Sequence, residues 1–131
     1  MTFLPTIPNA DESWQALRET IAPWVGERAA TLFAYAISDE NESPPSSLFF
    51  RRILVDSGDD PDRPQVTETE QLLIDWGRLL VRVPRDIPQD FYDRLEAAFS
   101  PERRLALLSF AAQIVAINLV NTVGRVSPDL P

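Results

Sequence analysis

The stretch Leu105 to Val123, LALLSFAAQIVAINLVNTV, carries no charge between Arg104 and Arg125. Its apolar residues are spread around the helical wheel rather than confined to one stripe, so as a helix it asks for cover on nearly every side. The start is well marked. Ser100 suits the cap, Pro101 the first helical position and Glu102 the positive end of the dipole. Gly124 and Arg125 supply stop signals at the other end. The spacing predicts a central helix of about five to seven turns, with the preceding helices wrapped around it. The rival is a membrane span, which needs roughly 20 mostly apolar residues. Ser109, Gln113, Asn118, Asn121 and Thr122 interrupt the run in several directions, and polar groups at bilayer depth are expensive without partners. With a mean hydropathy of −0.14, we expect a soluble core helix and no membrane partner.

The rest of the chain reads as shorter helices with stiff connections. Twelve prolines stand against four glycines, and no strand-like alternation of useful length occurs. Asn9 with Glu12 looks like a helix start, with Trp14, Leu17 and Ile21 on one face up to Pro23. Ala29, Leu32, Phe33, Ala36 and Ile37 give a second helix, which stops in SDENESPP. SSLFFRRILVDSG gives a third, with Phe50, Ile53 and Leu54 inward and Gly58 as its stop. Thr67 and Glu70 form a capping box for a fourth helix burying Leu72, Leu73, Trp76, Leu80 and Val83. Arg78, Arg82 and Arg85 line its outer side, with Asp75 one turn before Arg78; we expect a solvated face laced with ion pairs. Asp86 and Pro88 open a fifth helix with Phe91, Leu95 and Phe99 inward. At 131 residues, residues 1–131 are expected to be one all-α domain, large enough for a real core.

Several classes of chemistry are excluded by composition. The chain has no cysteine and no histidine, and all twelve basic residues are arginine. Thiol, imidazole and Schiff-base chemistry are therefore absent, as are the common zinc ligand sets. The loop DSGDDPDRPQ holds Asp56, Asp59, Asp60 and Asp62, but it lacks the ligand spacing, central glycine and closing glutamate of a calcium loop. We expect a plain solvated loop, no metal and no cofactor. A formal charge of −8 repels phosphate backbones, so no nucleic-acid partner is expected. Met1 to Asn9 shows no basic region followed by an apolar one, and a cytoplasmic protein is the expectation.

From Ser43 to Asp129 the order of features is SPPSSLFFRRILVDSGDDPD, TETEQLLIDWGRLLV, IPQDFYDRL and FSPERRLALLSFAAQIVAINLVNTVGRV. This resembles the carboxymuconolactone decarboxylase/alkylhydroperoxidase-D superfamily, through FRRxLxxxGxDP, LLxxWGR and an NxxN in the closing apolar helix. The resemblance implies a six-helix bundle around the long C-terminal helix, and obligate homo-oligomers packed through helix faces. It also implies, in active peroxidase-type members, a Cys-x-x-Cys pair at a helix start, a histidine one turn later and an upstream glutamate.

Here the cysteine slots hold Ser43 and Ser46, the histidine slot holds Phe50, and the glutamate slot falls near Thr31, with Glu27 one turn away. Two sulfurs share the oxidation when a thiolate reduces a peroxide; serine does neither part, and it lacks an adjacent base. Ser43 and Ser46 are expected to cap the helix that carries Phe50. We expect a redox-inactive, non-enzymatic oligomer with structural, regulatory or binding roles. The alternative is an acid–base enzyme using carboxylates and arginines on a small anionic, lactone-type substrate, with Arg51, Arg52 and Arg78 as candidate anion contacts. In the expected oligomer, surplus apolar surface of the long helix is buried against another copy, with Asn118 and Asn121 paired across that contact or its edge.

Overall fold

The computed structural model describes residues 10–125, which form six helices and no strand. They are α1 (Ala10–Val25), α2 (Glu27–Glu40), α3 (Pro44–Asp56), α4 (Glu68–Arg82), α5 (Gln89–Ala98) and α6 (Pro101–Val123). The expected cap at Asn9 lies outside the described residues.

Local signals place most of the boundaries. Thr67 accepts from the Glu70 amide at 3.2 Å while Glu70 Oε1 accepts from the Thr67 amide at 2.9 Å, a complete capping box. Ser100 accepts from the Arg103 amide, with Pro101 in the first turn of α6. Gly58, at φ 89°, ends α3 in the left-handed region, with its amide on the Val55 carbonyl. Two ends differ from expectation. Pro23 does not stop α1, because in the last turn it forfeits one backbone bond and the helix runs two residues further. The corner falls at Gly26, whose φ of 92° is open to glycine and costly for other residues. Gly124 closes α6 at φ −75°, and it is Arg125 that turns left-handed, at φ 54°.

The centre of the bundle is α2, which corrects the expectation that α6 would be the central helix. Ala29 through Ala34 and Ala36 through Ser38 are all buried, and α2 packs against α1, α3, α4 and α6. Its alanines make it thin enough for neighbours to close in from several directions. The bulkier α6 fits the core along one stripe only: Leu107, Phe110, Ala111, Ile114, Ile117, Asn118 and Asn121. Its opposite face is left exposed by the chain's other helices. By length and composition α6 could cross a membrane, yet 39% of its most apolar window is buried within the bundle.

Phe33 of α2 joins the layers. Its ring stacks on Trp76 of α4 at 5.6 Å and on Phe110 of α6 at 6.1 Å. Gly77 lets α2 and α4 approach here: a Cβ at this position would sit 3.1 Å from Ile37 Cγ1 and 3.3 Å from the Phe33 carbonyl oxygen. Below this layer, Trp14 of α1 meets Phe50 edge-on at 5.8 Å. From α5, Phe91, Leu95 and Phe99 are buried as their spacing predicts. Trp76 is 4% exposed, so Trp76→Ala should destabilise the fold by about 3–5 kcal/mol in denaturant titration; a loss below about 1 kcal/mol would remove it from the core.

Candidate functional site: a sealed serine–asparagine cluster

The turn between α2 and α3 is short. Asn41 closes α2, and Glu42 takes a left-handed φ of 52° that swings Ser43 back onto the Ser38 carbonyl, with N to O at 3.1 Å. Ser43 occupies the cap position of α3, but its hydroxyl does not cap, which corrects the expected role. The reason lies in the sequence that follows. Pro44 and Pro45 have no N–H to satisfy, and the next amides, of Ser46 and Ser47, both donate to the Ser43 carbonyl at 3.1 and 2.8 Å. The side chain is released to point inward.

It meets a polar cluster closed to solvent. Ser38, Ser43 and Ser46 are each 0% exposed, and Asn118 and Asn121 are 2% exposed. Ser43 Oγ donates to Ser46 Oγ at 3.4 Å, and Ser46 Oγ accepts from Asn121 Nδ2 at 2.9 Å. Ser38 Oγ donates to Asn118 Oδ1 at 3.1 Å. The cluster thus ties α2, the start of α3 and the last turns of α6 together. Asn118 Nδ2 and Asn121 Oδ1 have no protein partner. The expectation that the two asparagines face a subunit contact is therefore corrected: they point into the fold, where Ser38 and Ser46 hold them. Their spacing of three residues was legible, but the direction of that face was not, because α6 is apolar on both sides.

No ionisable group takes part in these hydrogen bonds. Hydroxyls and carboxamides keep their charge state across the working pH range, so the cluster can bind and position but has no base with which to activate a serine. Phe50, in the slot that the resemblance assigns to histidine, is a core ring at 2% exposure. Thr31 is buried, with its hydroxyl on the Glu27 carbonyl at 3.0 Å, whereas the Glu27 side chain is exposed.

The arginines lie elsewhere and meet carboxylates. Arg51 makes a two-pronged pair with Asp62 at 2.9 and 2.8 Å and also donates to Tyr35 Oη. That pairing holds the Asp62 carboxyl below its ordinary range. Arg52 is exposed on the outside of α3. Arg78 bonds Asp39 and Glu40, and Arg82 bonds Glu40 at 2.9 Å. The expected ion-paired face on α4 is present, but its acids come from the end of α2, while Asp75 accepts from Gln71 instead. An open groove of about 440 Å³ between α4 and α5, lined in part by Glu68, Gln71, Leu72 and Arg94, includes none of Arg51, Arg52 and Arg78. Among the described residues no acidic cluster is arranged to hold a metal.

Two polar residues that organise the surroundings belong to no sequence motif. Ser38 follows Ala34 by one turn on the buried side of α2, a spacing that marks it as inward. Arg28 is undistinguished in sequence, yet it holds Asp59, Glu70 and the Gln65 carbonyl at once, with distances from 2.7 to 3.2 Å. Its guanidinium is held above its ordinary pKa, foremost by Asp59. The acidic loop is thereby fastened to the start of α2.

Comparison of the chain with protein-family models, curated proteins and solved structures gives no match.

Two measurements check this geometry. In a double-mutant cycle, Ser46→Ala and Asn121→Ala should each destabilise by about 1–3 kcal/mol. They should couple by at least about 0.5 kcal/mol, and strict additivity would mean that the bond is absent. Separately, the Arg82 hydrogen bond, then Arg78, lowers the pKa of Glu40. A lowered folded-state pKa contributes stability that is present above the unfolded value and lost as pH falls through the folded one. Stability should therefore decline below about pH 4.5, and Glu40→Gln should flatten part of that decline while lowering stability at pH 7.

Proposed function

We propose that this protein is a redox-inactive, non-enzymatic member of the carboxymuconolactone decarboxylase/alkylhydroperoxidase-D-like superfamily that works as a homo-oligomeric structural, regulatory or binding component in the cytoplasm. The observation that carries the reading is the sealed cluster. Where the resemblance puts two thiols and an imidazole, the chain has two fully buried serines bonded to neutral partners and a packed phenylalanine. A site of this kind fixes one helix against another. It presents neither a nucleophile to solvent nor a proton acceptor to the nucleophile.

The competing reading, acid–base chemistry on a small anionic substrate, requires a guanidinium with a free face beside a carboxylate. Arg51 is bound by Asp62, and Arg78 by Asp39 and Glu40; a substrate anion would have to displace those carboxylates. The geometry favours the first reading. Reduction of an alkyl hydroperoxide with a dithiol donor should not exceed the buffer rate. Clear turnover would overturn the reading, since the chain offers no group for that chemistry. Light scattering at micromolar concentration should show a dimer or larger.

A further inference from the structure

The face of α6 turned away from the core is as apolar as the face turned toward it. Leu105, Leu108, Val115, Leu119, Val120 and Val123 are 39–73% exposed, with Ala112, Ala116 and Ser109, whose hydroxyl is turned onto the Leu105 carbonyl, between them also exposed. On a helical wheel all of these fall on the side opposite Leu107, Ile114 and Asn121. No charged residue interrupts the face from Leu105 to Val123. It leaves on the order of 600 Å² of aliphatic surface in water, the upper end for the largest patch on a typical monomer.

We infer that this face pairs with the same face of a second copy, antiparallel, about a two-fold axis passing near residue 114. The inference rests on the oligomeric reading above and says which surface carries it. Three features select a second copy running the other way. The first is shape. An axis at residue 114 sets Leu105 against Val123 of the second copy, Leu108 against Leu119, Ser109 against Val120, and Ala112 against Ala116. Large side chains then meet at both ends, and small ones meet in the middle, where two helix axes come closest. The second is charge. The antiparallel arrangement puts each helix N-terminus, with Glu102 in its first turn, beside a C-terminus, whereas a parallel pair would align like ends of the two dipoles. The third is area. Two such faces offer up to about 1,200 Å² from these residues alone, where standard specific interfaces begin. Lipid is the other candidate occupant, but a chain of formal charge −8 is repelled by anionic membrane surfaces. Ile117, at 1% exposure, belongs to the core and takes no part in this contact.

The test uses sedimentation and cross-linking. The parent should be a dimer or a multiple of one at micromolar concentration. Leu119→Asp should lower its mass by half or more without loss of helix by circular dichroism, because Leu119 is 64% exposed within the chain. An oligomeric parent unmoved by Leu119→Asp would overturn this face while leaving the oligomeric reading standing. A monomeric parent would overturn both, and the peroxide assay would still decide the redox reading. If Leu119→Asp does not fold, cross-linking decides, helped by a chain with no cysteine of its own. Under mild oxidation, Leu105→Cys mixed with Val123→Cys should give a covalent heterodimer. Leu105→Cys alone should give none, because the two copies of that position lie about 27 Å apart along the axis. The reverse pattern would mean parallel pairing and would overturn the inference. So would a monomer that floats with neutral or anionic vesicles, which would assign the face to lipid.

Discussion

The bundle depends on how thin α2 is. A helix buried on most of its circumference must let several neighbours reach it, and Ala29, Ala30, Ala34 and Ala36 make that possible without forcing the surrounding helices apart. Where α2 carries bulk, at Phe33 and Ile37, the facing helix gives way, and Gly77 of α4 has no Cβ for that reason. The one large ring at the centre then contacts aromatic rings from two other helices. The polar cluster follows from the same constraint. At Ser38 the buried side of α2 turns polar just before the chain reverses into α3; Asn118 of α6 meets that hydroxyl, and Asn121, one turn on, meets Ser46 of α3.

A second organising principle is the use of arginine as the only basic residue. A guanidinium can hold several acceptors in fixed directions where an ammonium acts as a point charge. Arg28 uses this to hold a loop carboxylate, a helix-cap carboxylate and a backbone carbonyl together. The buried Glu70 is tolerated because it serves the capping box and Arg28 at once. The outer pairs, Arg51 with Asp62 and Arg82 with Glu40, are more exposed and contribute correspondingly less.

Helix existence and most helix ends were legible because they depend on short-range chemistry. Thr67 with Glu70, Ser100 with Pro101, and the spacing of Phe91, Leu95 and Phe99 all act within a turn or two. What could not be read depends on tertiary packing. Apolar content alone made α6 look central, since Leu119 and Ile114 are equivalent in hydrophobicity though one is in water and the other in the core. Asn118 and Asn121 were visible as a pair, but their direction is set by Ser38 and Ser46, each more than seventy positions away. The position of Ser43 suggests a cap, whereas the two prolines after it carry no N–H and its own carbonyl takes the next two amides. Arg28 was invisible because Asp59 and the Gln65 carbonyl come from a loop with no regular spacing, and Glu70 already had a role in its own capping box.

A molecule that shows water both an aliphatic ridge and a strongly acidic remainder balances two opposing colloidal forces. The ridge along α6 draws chains together indiscriminately when nothing orients the encounter. The long-range repulsion between like-charged bodies slows every approach except one that brings opposite charges into register. That repulsion vanishes near the isoelectric point, about 4.4, whereas Glu40 and Asp62, held below their ordinary carboxyl values by arginine, keep their charge further into acid. Mild acid therefore removes the barrier to precipitation before it breaks these ion pairs, and solubility near the isoelectric point is limited by association rather than by unfolding.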